Sequence, residues 1–189
     1  MFEGKAQAEA IETHALTVLK YFRGRNLEEM GAFMKYENIL VPYDGSEPSK
    51  NALATALEYV DLGIAGKVTA FFAAPLPQFE TQDFIIAEHI SGSQPLTPEQ
   101  TAAMQRRYIA FHKEKLAEDL GALAEKAGSA LVIAVGQGKP SKAILEYAHV
   151  HRIDLIIMGS RGLSAVAGVL GSVSYAVLRN AECPVMVER

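Results

Sequence analysis

Two periodicities run through this chain. From Asn38 onward, short aliphatic runs bounded by turn formers alternate with longer stretches whose apolar residues recur at helical spacing. That alternation predicts an α/β protein with a parallel sheet covered by helices on both faces, because strands buried on both sides read as continuous apolar runs. The runs Asn38 to Val41, Val68 to Ala73, Leu131 to Val135, Asp154 to Met158 and Pro184 to Val187 predict five strands. Between the first two, Ser46 is placed to cap a helix carrying Ala52, Leu53, Ala56, Leu57 and Val60, with Gly63 near its end. Thr97-Pro98-Glu99-Gln100 has capping-box spacing with Pro in the first turn. It predicts one long helix running to about Gly128, with Met104, Tyr108, Phe111, Leu116, Leu120 and Leu123 as its core stripe. A shorter helix follows Pro140-Ser141 with Ile144 and Tyr147-Ala148, and the last opens near Gly171-Ser172 with Val173 and Val177.

Two segments stand outside this alternation. Residues 74–98 hold Pro75, Pro77, Pro95, Pro98 and Ser91-Gly92-Ser93, a composition that predicts a surface excursion, either a lid over a site or a loop without a role. In the first 33 residues, Ile11, Ala15, Val18 and Phe22 describe one amphipathic helix ending near Gly24, and Asn26 with Glu29 can open a second. Such a helix needs a surface on which to bury its stripe, on its own domain or on a partner protein. The expected organisation is a helical extension over 1–33 and one domain over 34–189.

Composition narrows the function. With 189 residues, 49% of them hydrophobic and 21% charged, the chain is that of a soluble globular protein of one domain plus an appendage. No apolar run approaches the roughly 20 residues of a membrane helix, and the N-terminus lacks the features of a secretory signal, so a cytoplasmic protein without a membrane partner is expected. The net charge of −4 argues against a nucleic-acid partner. One cysteine, Cys183, and five histidines without metal-ligand spacing argue against a structural metal site.

The segment from Asp154 to Ser174 carries the chemistry. A buried strand runs through Met158 into Gly159-Ser160-Arg161-Gly162, and Gly171-Ser172-Val173-Ser174 opens a helix. Glycines let the main chain approach a ligand, and the free N–H groups of a helix start point at it, so an anion is the natural occupant. In an open parallel sheet, ligands bind beyond the carboxyl ends of the strands where strand order reverses, and Asp44-Gly45 follows the first strand at that edge. Asp44 can accept hydrogen bonds from ribose hydroxyls there. Arg161 either pairs with a phosphate or lies in solvent.

Val41-Pro42-Tyr43-Asp44-Gly45-Ser46, together with the G-S-R-G and G-S-V-S motifs, resembles the universal stress protein family over about Lys35 to Arg189. The resemblance implies a flavodoxin-like (Rossmann-like) open five-stranded parallel sheet and a homodimer formed through the last strand, Pro184 to Val187. It also implies ATP or another adenine nucleotide as ligand, with Mg as the companion ion of a phosphate chain. Carried over by position, Asp44 with Pro42 contacts the ribose, and Ala73 lines the adenine pocket through its backbone. Gly159, Gly162, Gly171, Ser172 and Val173 surround the phosphates, and Gly138 of Gly138-Lys139-Pro140 lies near the base. One departure stands out. ATP-binding members usually place nine residues between the second and third motif glycines, and Leu163 to Leu170 supplies eight.

Rival motifs are weaker. Gly136-Gln-Gly138 lacks the final glycine of a dinucleotide fingerprint, since position 141 is Ser, and neither a P-loop nor a G-x-S-x-G elbow occurs. No carboxylate or histidine in the motif loops is placed to activate water, so slow hydrolysis is the most this site would support. The expected function is adenine-nucleotide binding in stress response or signalling. The alternative is a nucleotide-free dimeric scaffold that docks a partner protein.

Overall fold

A computed structural model describes residues 36–76, 97–163 and 170–189. The readings placed on the first 33 residues and on most of the 74–98 excursion lie outside the described residues. Five parallel strands form one sheet: β1 Tyr36–Pro42, β2 Ala65–Ala74, β3 Leu131–Gln137, β4 Leu155–Gly159 and β5 Val185–Glu188, in the order β3-β2-β1-β4-β5. This is a Rossmann-like 3-2-1-4-5 arrangement. The helices are α1 Glu47–Asp61, α2 Pro98–Asp119, α3 Gly121–Ala127, α4 Pro140–Val150 and α5 Ser172–Asn180.

Side-chain alternation sorts the core into two layers, because successive strand residues face opposite sides. Ile39, Val41, Val68 and Ile157 face Leu53, Ala56 and Leu120 on one side, while Leu40, Phe71, Ile156 and Met158 face Ile144 and Val177 on the other. Burying each such side chain contributes roughly 1.5–3 kcal/mol. Asp154 falls just before β4 and not inside it as expected. Its carboxylate accepts from the backbone N–H groups of Glu37 (2.6 Å) and Asn38 (3.2 Å), tying the start of β4 to the start of β1.

Helix starts fall where the sequence puts them. Ser46 caps α1, and Thr97 with Gln100 forms a complete capping box on α2. The single long helix expected to reach Gly128 is instead broken at Leu120, immediately before Gly121, whose missing side chain makes it a poor helix residue. Its expected stripe is only partly buried: Leu116 and Leu120 are in the core, but Met104, Phe111 and Leu123 are exposed. The Tyr108 hydroxyl donates to Pro75 O (2.9 Å), just past the end of β2, so the turns of α2 before Tyr108 have no strand beneath them among the described residues.

Candidate functional site

The chain order reverses between β1 and β4, the two central strands, and their carboxyl ends open a crevice. On the β1 side, Tyr43 is anchored by its N–H to Phe71 O (2.9 Å), and Gly45 turns the chain at φ +80, a conformation open to glycine and strained for other residues. Asp44 is held by the helix that follows. Its Oδ1 accepts from Ser46 N (3.1 Å) and from Ser46 Oγ (2.5 Å), while the same Oγ accepts from Ser49 N (3.4 Å) as the α1 cap. Fixing Oδ1 in this way leaves Oδ2 directed at Gly162, where an added Cβ would lie 2.5 Å from it.

On the β4 side, the chain leaves the sheet at Gly159 and returns at Gly171. A Cβ on Gly159 would stand 2.8 Å from Pro48 Cβ and 2.9 Å from its carbonyl carbon, so the start of α1 packs directly on that glycine. Gly171 N donates to Ser160 O (2.8 Å), and the buried Ser174 hydroxyl donates to Gly159 O (2.9 Å), pinning the start of α5 to the end of β4. Tyr175 N takes up Gly171 O (2.8 Å) in the first helical bond. The N–H groups of Ser172, Val173 and Ser174 therefore have no partner within the helix, as in any first turn, and they lie at a cavity.

That cavity measures about 300 Å³. Pro42, Asp44, Ala73, Met158, Gly159, Arg161, Gly162, Gly171, Ser172 and Val173 all line it, so ten of the eleven residues singled out in the sequence meet at one place. Gly138 does not. Its N–H bonds Ala74 O (2.9 Å) and its φ is +115, so it shapes the turn out of β3, next to Pro140, which does reach the cavity. Sequence reasoning missed Phe72, Ile144 and Ser49 as lining residues. Ile144 was visible only as a helical core position, and Phe72 and Ser49 carried no motif signal. Ser46 was read as a cap, and its second role of holding Asp44 follows from spacing alone, an Asx-type turn two residues long. Tyr43, 5% exposed, donates its hydroxyl to Asp119 Oδ2 (2.7 Å). Burial, then this bond to a carboxylate, pushes its pKa well above the ordinary tyrosine value. Among the described residues no group of three or more His, Cys, Asp or Glu is arranged to hold a metal ion, and no helix is long and apolar enough to cross a membrane.

A doubly wound α/β sheet whose central crevice joins a fixed aspartate to a glycine-bounded helix start is an architecture of the Rossmann-like class. Its family is shown by comparison. The sequence profile described as the universal stress protein family matches residues 35–189, and the chain belongs to that family. It is 32% identical over 155 residues to the Thermus aquaticus universal stress protein in the QAH/OAS sulfhydrylase 3′ region, covering 82% of this chain and 99% of that one. A universal stress protein solved in complex with cAMP shares the fold at a TM-score of 0.52 and 23% identity, covering 82% of this chain and 98% of the other. An Arabidopsis thaliana family protein solved with AMP bound does so at 0.50 and 20%, covering 80% and 90%.

Proposed function

We propose that this protein is a cytoplasmic, homodimeric adenine-nucleotide-binding module whose ligand lies in the β1/β4 crevice and biases a conformation read by a partner. The observation that carries the reading is the pairing, at one cavity of about 300 Å³, of the Asp44 carboxylate, whose Oδ2 lies beside Gly162, with three N–H groups at the start of α5 that have no partner within the helix. The ribose hydroxyls donate to Asp44, the phosphate accepts from the α5 amides and from the Arg161 guanidinium, and the base lies against Pro42 and the backbone of Ala73. The solved relatives with cAMP and AMP support the ligand class. The cavity is at the small end of the range for ligand pockets, roughly 300–1,000 Å³, and the stretch between Gly162 and Gly171 is one residue shorter than in ATP-binding members. Both favour a single phosphate over three, and any Mg²⁺ arrives with the phosphates. Among the described residues the one carboxylate lining the cavity is Asp44, which this reading gives to the ribose, and that favours binding over turnover.

The dimer is proposed through β5, which ends the sheet. Pro184 and Glu188 turn their carbonyls inward to Ile156 N and Ser160 N, so Val185 and Val187 present N–H and C=O to the open edge.

Mass spectrometry of the freshly purified, denatured protein for a co-purifying nucleotide, followed by calorimetric titration with AMP, cAMP, ADP and ATP, tests the ligand. AMP or cAMP should bind at least as tightly as ATP, and Gly171→Val should abolish binding, since a β-branched side chain there meets the backbone of Ser160 and Arg161. No binding by any of the four would leave the scaffold reading, with the glycines only shaping a turn.

A further inference from the structure

A second and larger cavity, of about 560 Å³, opens beside the first on the α2 side of Tyr43 and Asp44. Its walls differ in kind. The Phe72 and His112 rings pack together at a centroid distance of 5.3 Å, and Tyr108 meets His112 edge-on at 4.5 Å. Phe72, His112, Leu116 and Tyr43 line the cavity as an aromatic and aliphatic floor. Its polar lining is Asp44, Glu118 and Asp119 against the single ammonium of Lys115, an excess of carboxylate. Asp119 is already oriented, because it accepts from the Tyr43 hydroxyl at 2.7 Å. Unlike the crevice, this cavity is lined by no helix start, and Gly45 is its one glycine.

We infer that this cavity is a second, adjoining binding site for an aromatic amine, a flat ring carrying an ammonium group. A flat ring stacks against the Phe72 and His112 faces and excludes water from them, an arrangement that aromatic rings favour offset or edge-on. An ammonium group attached to that ring gains from the aromatic faces and from the carboxylate rim. A phosphate or carboxylate ligand meets the opposite field, so the two cavities sort ligands by charge, anions to the α5 start and aromatic amines to the α2 wall. Tyr43, Asp44, Phe72 and Leu163 line both, so occupancy of one is sensed at the other through four shared residues.

The inference does not rest on the nucleotide reading, and its test is run without nucleotide. Tryptamine and indole-3-acetate carry one ring with opposite charges. Each is titrated into the isotope-labelled full chain while backbone amide resonances are followed by NMR. Tryptamine should give saturable shifts at Gly45, His112, Lys115 and Leu116, and indole-3-acetate should bind at least tenfold more weakly. Asp119→Asn and the exposed Glu118→Gln should each weaken tryptamine several-fold without changing the fold, as judged by an unaltered amide spectrum elsewhere. Absence of saturable shifts at those amides, equal affinity for the two probes, or indifference to both substitutions would overturn the assignment.

Discussion

At the scale of single residues, one hydroxyl links folding to the site. Ser46 Oγ donates to Asp44 and accepts from Ser49 N, so the helix cap and the orientation of the Asp44 carboxylate are one arrangement. Ser46→Ala removes both. It should cost about 1 kcal/mol of stability in chemical denaturation and also weaken AMP binding, whereas Ser46→Asp should recover the cap and, by adding a like charge beside Asp44, leave binding impaired. Gly162→Ala places a methyl against Asp44 Oδ2 and turns that carboxylate away, against the bonds Ser46 makes to Oδ1, so calorimetry should show at least a tenfold loss of AMP affinity together with a lowered melting temperature. Tyr43 supplies a pH signature. Its folded-state pKa lies above the unfolded value of about 10, so its contribution to stability is complete below pH 10 and is lost as pH rises through the folded pKa. The difference between absorbance titrations of the wild type and of Tyr43→Phe should place the Tyr43 ionisation above pH 10, and a difference centred at or below pH 10 would contradict this. Asp44 was legible in the sequence because an acid after a first strand has a known place in such folds. Phe72 and Ile144 were not, since an apolar residue at a strand or helix position looks the same whether it lines the core or a cleft.

At the scale of elements, the close approach of α1 to β4 makes Gly159 a packing position as well as a motif glycine. Gly159→Ala meets backbone atoms of Pro48 and Ser49 that cannot rotate away, so it should destabilise the fold by roughly 1–3 kcal/mol, read as a lowered denaturation midpoint. The edge strand β5 gives the other prediction. Val187→Pro deletes an outward N–H and leaves the ladder to β4 intact, so sedimentation should show a shift from dimer to monomer with nucleotide affinity retained. Strand and helix starts were readable from apolar runs and caps, as at Ser46 and Thr97. The break at Leu120 was not, because the apolar spacing continues through it and only Gly121 marks the place. The exposure of Met104 and Phe111 was unreadable for a related reason: periodicity does not give how far the sheet beneath a helix extends, nor that His112 and not Phe111 is the residue that packs on Phe72.

At the scale of the whole molecule, the site follows from topology. Strands β2 and β3 build out on one side of β1 and β4 and β5 on the other, which brings a loop near residue 44 and one near residue 171 to a single crevice although they lie far apart in the chain. The alternation of elements made this parallel sheet legible, and with it the edge where a ligand would lie. The motif glycines and Asp44 then marked ten of the residues that meet there. Gly138 was placed with them by motif alone; it shapes the turn out of β3 and is not among the residues lining the cavity. The second cavity left no trace in the sequence, because its floor joins β2 to a helix whose packing no local pattern specifies. The central claim is that an adenine nucleotide lies in the β1/β4 crevice with its phosphate on the α5 start. Titration of AMP into the isotope-labelled protein, followed by amide NMR, tests it most directly. Saturable shifts should concentrate at Asp44, Ala73, Gly159, Gly162 and Gly171 to Val173, and the account is contradicted if no amide shifts saturably or if the shifts fall elsewhere.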